Sequence, residues 1–218
     1  EELFFVGKAT AQKLHTLGIH TIGEIAGTDP SILTAHLKKQ GKTIYEFSHG
    51  IDNNKITTKH TKNKGYGNSI TTKEDVCDKD SAGQILLSLC ETVATRLRMD
   101  QVKASCISVN IVDCNFKKTQ HQMQLVSPTN ITKELYQSAL TLFEEAWDNH
   151  TPLRLLGVST SKLTTNEYRQ YDLFHMEEFD RLSKLDSAID TIRNRFGDDS
   201  IKRACFLDSE IHHMTGKK

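Results

Sequence analysis

Between residues 65 and 164 the hydrophobic pattern switches between the period of a strand and that of a helix, in an order that few folds satisfy. A strand-like stretch runs from Tyr66 to Thr72. A helix is predicted to open at Ser81, where Gln84 three residues on completes a capping box. Its apolar positions Ile85, Leu89, Val93 and Leu97 recur at i+4 and form one stripe. Ile107, Val109 and Ile111 then alternate with Ser108 and Asn110, and His121, Met123 and Leu125 alternate with Gln120, Gln122 and Gln124. Asn115 lies in the short link between these runs, which therefore read as a hairpin. A second helix, about 132–147, buries Leu135, Ala139, Leu142 and Ala146; a last strand, about 153–163, carries Gly157 in its middle. The order is that of a split β-α-β-β-α-β domain, with two helices on one face of a four-stranded sheet. The other face should show Ser108, Asn110 and the glutamines, polar and uncharged. By itself such a face is better explained by plain solvation, since antiparallel sheets often have one open side.

The first 52 residues read differently. Ala11, Leu14 and Leu17 share one helical face, which predicts a helix over about 10–17, stopped by Gly18. Gly7 allows a tight turn just before it, so that unpaired amides and the positive helix end converge on a spot suited to a phosphate, with Lys8 as a mobile cation. The run Gly18 to Ala26 repeats the pattern more weakly, so the pair reads as a helix-hairpin-helix. That unit grips DNA through phosphates rather than bases; an αα-hairpin whose glycines serve only turns has the same pattern.

Lys plus Arg and Asp plus Glu both number 28, so the net charge is zero. The distribution matters more than the sum. Lys55, Lys59, Lys62 and Lys64 fall in an acid-free polar stretch at 53–64, a basic linker. The last third instead gathers Glu177, Glu178, Asp180, Asp198, Asp199, Asp208 and Glu210. The five cysteines are never spaced C-x-x-C and read as reduced, packed thiols. No apolar run approaches the ~20 residues that cross a bilayer, so no membrane partner is expected and the cytoplasm is the expected location. Opening on Glu1 and entering a motif at once fits a piece of a longer protein.

The tail, 165–218, carries one strongly periodic helix. Phe179, Leu182, Leu185, Ile189, Ile192 and Phe196 form a stripe that should be buried on this domain or on a partner, and Gly197 ends it. His212 and His213 are adjacent and could bind metal, but a lone pair near a chain end is usually disordered.

With "FFVGKATAQKLHTLGIHTIGEIA", then "HGID", a lysine-rich tether and a domain closing on "RLLGVSTSKL", the chain resembles the thumb and little-finger part of Y-family DNA polymerases, of the bacterial polymerase IV and UmuC-like branch. The resemblance implies an α+β chain: a helix-hairpin-helix thumb at 1–52, a tether at 53–64, a split β-α-β-β-α-β little finger at 65–164 and a helical C-terminal tail. It implies primer–template DNA as partner. By matching, Val6, Gly7, Lys8, Ala9 and Thr10 fall on the phosphate-binding hairpin, Gly67, Asn68, Ser69 and Thr71 on the first DNA-facing strand, and Arg154, Gly157, Val158, Ser159 and Thr160 on the last. The strand "KGYGNSITT" departs from the Ser-Ile-Gly-x-Glu type of many relatives. Gln170, Leu173 and Phe174 of "QYDLF" match the pentapeptide with which bacterial polymerases dock on the sliding clamp, two apolar residues for a pocket and an amide for its rim.

The family's metal-binding carboxylates belong to an N-terminal palm and have no counterpart here, so no catalytic or metal residue and no cofactor is expected in this chain; Mg2+ is expected in the parent's palm. Glu74 and Asp75 stand alone at a strand end, and Glu144, Glu145 and Asp148 read as solvated helix charges. The expectation is thus a monomeric, DNA-gripping, non-catalytic C-terminal piece of a translesion polymerase that also binds the clamp. A stand-alone DNA-binding adaptor and a ferredoxin-like regulatory domain stay open beside it.

Overall fold

A computed structural model describes residues 2–55, 62–165 and 176–207. They belong to two compact units, Glu1–Thr61 and Lys62–Lys218, divided inside the lysine-rich stretch.

Four helices build the first unit: α1 (Lys8–Thr16), α2 (Ile22–Gly27), α3 (Pro30–Leu37) and α4 (Lys39–Ser48). Helix α1 begins two residues before the predicted start, because Gly7 is still extended (φ −83°, ψ 174°) and the chain turns helical directly after it. It ends where expected, and the mechanism is visible. Gly18 sits at φ 75°, its amide donates to His15 O at 2.9 Å and that of Ile19 to Leu14 O at 3.0 Å. Two orphan carbonyls of the last turn are satisfied in this way, a Schellman stop that favours glycine. Thr21 and Glu24 then cap α2 reciprocally: Glu24 N donates to Thr21 Oγ1 (3.2 Å), and Thr21 N to Glu24 Oε2 (3.0 Å). Asp29 caps α3 by accepting from Ser31 N at 2.7 Å, ahead of Pro30 at the first helical position. Helices α3 and α4 approach so closely at Gly41 that a Cβ there would lie 2.3 Å from Leu33 O. Leu14, Ile25, Leu33 and Ile44 form the centre of this small core, and Leu33 and Ile44 are fully buried, each worth roughly 1.5–3 kcal/mol.

The second unit follows the predicted order: β1 (Gly65–Val76), α5 (Lys79–Met99), β2 (Lys103–Asp113), β3 (Lys118–Thr129), α6 (Thr132–Ala146) and β4 (Leu153–Thr164). The sheet order is β1-β4-β2-β3, antiparallel throughout. Both helices cover one face, where Leu86, Leu97, Ile107, Leu135, Phe143 and Leu156 are buried. The start of α5 is a correction. Asp78, not Ser81, caps it, accepting from Ser81 N at 2.7 Å, and the helix opens at Lys79. A carboxylate three residues before Ser81 takes the Ser81 amide and favours the positive helix end, so the helix starts one turn earlier than the Ser81–Gln84 pair implies.

The tail helix α7 (Met176–Phe196) covers its apolar stripe only in part on this domain. Of its apolar stripe, Phe179, Leu182 and Ile189 are half-buried, whereas Leu185, Ile192 and Phe196 are exposed. What it buries instead is charge, Asp186 and Arg193. Arg98 of α5 donates to Asp186 Oδ2 at 3.0 Å and grips Asp190 with two nitrogens at 2.5 and 3.1 Å. Arg193 donates to the buried Glu91 of α5 at 3.1 Å, and Arg203 binds the other oxygen of that carboxylate. Helix α6, with Ile131 at its N-cap position, has no side-chain cap of its own, and Asp186 fills the role by accepting from Thr132 N at 2.9 Å. Long charged side chains thus fasten α7 over α5 and the start of α6, and they explain why Ser88, Thr92 and Thr95, on the polar side of α5, are buried.

Candidate nucleic-acid interface

The strand register assembles the uncovered sheet face row by row. Gly65, Ser161, Cys106 and Gln124 form one row; Gly67, Ser159, Ser108 and Gln122 the next; Ser69, Gly157, Asn110 and Gln120 the third. Thr71, Leu155, Val112 and Lys118 complete it. None of these residues is acidic. Small side chains keep the first two rows low, because a Cβ on Gly67 would lie 2.8 Å from Ser159 Cβ and one on Gly65 2.3 Å from Thr160 O. In the third row the Asn110 amide lies across Gly157, where a Cβ would fall 2.4 Å from its Oδ1. Ser108 and Ser159 share a hydrogen bond of 2.7 Å between hydroxyls, and Gln120 Nε2 donates to Ser108 Oγ at 3.5 Å. The face is therefore low over β1 and β4, hydrogen-bonding and lined by no acidic residue. Lys118 stands at one end and Lys162, whose Nζ is 3.5 Å from Gln124 Oε1, lies near the other. Such a surface admits a sugar–phosphate backbone without desolvating a carboxylate.

Strand alternation sorts the residues singled out from the sequence. Gly67, Ser69, Thr71, Gly157 and Ser159 lie on the open face. Asn68, Val158 and Thr160 alternate to the helix-covered side with Tyr66 and Ile70; Val158 and Thr160 are buried, and the Thr160 hydroxyl donates to Tyr66 O at 3.0 Å. From these three only backbone atoms can serve a ligand on the open face. Arg154 is the extra residue of a bulge on β4, between the pairs Leu155↔Val112 and Leu153↔Asp113.

In the first unit the amides of Gly7, Lys8, Ala9 and Thr10 precede the first intrahelical bond of α1, from Ala11 N to Gly7 O at 2.9 Å. No side chain caps them and the first turn holds no acid. Gly7, Lys8 and Ala9 are exposed; Val6 is buried and anchors the turn in the core. A residue the periodicities did not reveal fixes this loop. Gln40 of α4 donates through Nε2 to Phe5 O at 2.6 Å and to Thr10 Oγ1 at 3.3 Å, holding Phe5 at φ 68°. No local pattern could have found it, since its partners lie 35 and 30 residues away.

The amides of His20 and Thr21 hold the Glu24 carboxyl below its ordinary range. Among the described residues no three His, Cys, Asp or Glu side chains are grouped so as to hold a metal ion. Gln170, Leu173 and Phe174, like His212 and His213, lie outside the described residues. No described helix is long and apolar enough to cross a membrane.

Comparison with known proteins converges on the same two units. Residues 63–173 match the impB/mucB/samB family C-terminal domain, and residues 2–52 match the DNA polymerase-iota thumb domain. A protein named DNA polymerase IV from Clostridium acetobutylicum is 36% identical over 209 residues, 96% of this chain and 52% of the relative. DNA polymerase IV 2 of Halalkalibacterium halodurans is 34% identical over 223 residues, covering 100% of this chain and 54% of the relative. The chain thus spans about half the length of the curated relatives it matches. With both units matched in order, the chain belongs to the impB/mucB/samB family of Y-family DNA polymerases, as a thumb and little-finger C-terminal part.

Proposed function

We propose that this chain grips primer–template DNA with two surfaces and docks its parent enzyme on the sliding clamp. One surface is the Val6, Gly7, Lys8, Ala9 and Thr10 turn, whose amides and lysine take a phosphate. The other is the open sheet face, with Gly67, Ser69, Thr71, Gly157 and Ser159 approaching a strand and Arg154 at its end. Asn68, Val158 and Thr160 contribute through backbone alone. The observation that carries this reading is the acid-free run of small and amide side chains over four strands, on a chain whose formal net charge is zero.

The two surfaces divide the work. A helix end reads phosphate charge and a low polar face reads backbone shape, so binding is largely indifferent to sequence. That suits an enzyme that must hold whatever template arrives. Gln170, Leu173 and Phe174 dock on the clamp, a separate partner. In the parent, Mg2+ held by an N-terminal palm supplies the charge stabilisation for nucleotide addition. The chain itself positions DNA, as a monomer in the cytoplasm, and does not transfer nucleotides.

Fluorescence anisotropy with a labelled primer–template tests the grip. Affinity should fall steeply with salt, by a log–log slope of roughly 0.9 for each phosphate neutralised, and Lys8→Ala should lower that slope by about one. Absent or salt-independent binding would leave the ferredoxin-like regulatory reading instead. Alanine at Leu173 and Phe174 should abolish clamp pull-down and spare DNA affinity; persistence of clamp binding refutes the motif. Primer extension by the purified chain above background would refute its non-catalytic role.

A further inference from the structure

The open face changes character at its last row. Three rows present Gly, Ser, Asn, Gln and one Cys, but Leu155 and Val112, both half-buried, stand between Thr71 and Lys118 in the fourth. Next to that row, at the tip of the β2–β3 hairpin, Phe116 is 68% exposed. The Arg154 guanidinium lies over its ring, 5.2 Å from the centroid.

The turn holds the ring firmly. Phe116 has φ 63°, a left-handed conformation costly for a bulky side chain. Phe116 N donates to Asp113 O at 3.0 Å, and Asp113 N to Lys117 O at 3.1 Å. Asp113 Oδ1 accepts the amides of Asn115 and Lys117 at 2.8 and 2.9 Å, so that carboxylate is occupied inside the turn. The hairpin tip is tied to the start of β4 by Cys114 N donating to Pro152 O at 2.9 Å. Arg154 is fixed at its backbone, where its carbonyl accepts from Thr72 Oγ1 at 3.1 Å. Glu74 and Asp75 lie in the neighbouring irregular part of β1, and the contact described for the Arg154 guanidinium is the Phe116 ring. Lys117 and Lys118 follow the ring directly.

An exposed aromatic held in a strained turn, capped by a guanidinium that forms no ion pair among the described residues and flanked by lysines, has the make-up of a stacking surface for a base in a charged backbone. We propose that Phe116 and Arg154 form a platform for an unpaired nucleobase of the template, at the point where the strand leaves the duplex on the open face. The guanidinium covers one side of the ring, and the base continues the stack on the other while Lys117 and Lys118 meet its phosphates. Single-stranded nucleic acid is the ligand class, and stacking rather than base-edge hydrogen bonding makes the platform indifferent to base identity. The proposal rests on the reading of the open face as a DNA surface.

The test measures the 218-residue chain against a blunt duplex and against the same duplex with a short 5′ single-stranded overhang. The overhang should raise wild-type affinity roughly tenfold, the scale of one base stacked on an aromatic ring. Phe116→Ala and Phe116→Leu should both remove that gain and leave blunt-duplex affinity unchanged. A fluorescent base analogue in the overhang should be quenched by the wild type and not by Phe116→Ala. Arg154→Ala should reduce the gain. The platform is overturned by a wild type that ignores the overhang, by Phe116→Leu keeping the full gain, or by Phe116→Ala weakening both DNAs equally, as a protein-contact or structural role would. If the overhang alone carries affinity, lost in Phe116→Ala, and blunt duplex is not bound, the platform stands and the duplex-gripping face falls.

Discussion

Arg98 holds the tail helix to the little finger, and removing it should open that joint selectively. Its side chain is 13% exposed, and those of Asp186 and Asp190 are 6% and 16% exposed. It also donates to Asn130 O at 2.8 Å and to the hydroxyls of Thr132 and Thr95, both at 3.2 Å. Arg98→Ala strips the cation from two carboxylates that face one another across the same site. Breaking a buried pair from one side costs about 3–5 kcal/mol. Asp186 keeps the Thr132 amide and Asp190 the Thr95 hydroxyl, which favours the low end, about 3 kcal/mol. The loss cannot exceed the free energy with which α7 docks, because past that point the helix leaves and both carboxylates reach water. Hydrogen exchange should therefore show amides of 176–196 losing protection while the core of α5 and the sheet keep theirs. Arg98→Lys, which keeps charge but not the two-pronged geometry, should fall between. Unchanged exchange in α7 would refute the joint, and loss of protection across the whole sheet would show that α7 belongs to one cooperative core.

Two further perturbations test other parts of the structure. Gly41→Ala places a methyl 2.3 Å from Leu33 O, against backbone that cannot rotate away, and should destabilise the first unit by about 1–3 kcal/mol in urea unfolding; an unshifted midpoint would mean that α3 and α4 are farther apart. Asp148 accepts the Thr151 hydroxyl and the amides of Thr151 and His150, and these bonds hold its carboxyl at about 2 against an ordinary 3.8. A depressed folded value stabilises above the unfolded value and is lost as pH falls through the folded one. The stability gap between wild type and Asp148→Asn should be full above pH ~4 and close towards pH ~2; a gap constant with pH removes the carboxylate from the account.

The sequence displayed what rests on period and turn chemistry. Alternation at Ile107–Ile111 and His121–Leu125 fixes which residues share a face, so Ser108, Asn110 and the glutamines could be placed together before any register was known. Gly18 marks a helix end because left-handed backbone is cheap there. The same turn at Gln101, with φ 53° and Val102 N donating to Leu97 O at 2.9 Å, carries no such mark. Matching strands by motif did not separate Asn68, Val158 and Thr160 from their neighbours, because a motif ignores alternation. Nor was the mode of α7 docking legible: the apolar stripe called for burial on this domain or on a partner, whereas Asp186 and Arg193 find their partners 88 and 102 residues earlier. Gln40 was hidden for the same reason.

The most direct test of the proposed DNA-gripping face replaces Gln120, Gln122 and Gln124 together by glutamate. All three are exposed on β3 and share the open face, so the change is nearly isosteric and leaves the core untouched. It brings three like charges against a phosphate backbone, and even about 1.4 kcal/mol of net repulsion lowers affinity tenfold. The account predicts that primer–template affinity at low salt falls by at least about tenfold, that high salt narrows the gap, and that thermal stability is kept. Wild-type affinity in the triple variant would contradict it.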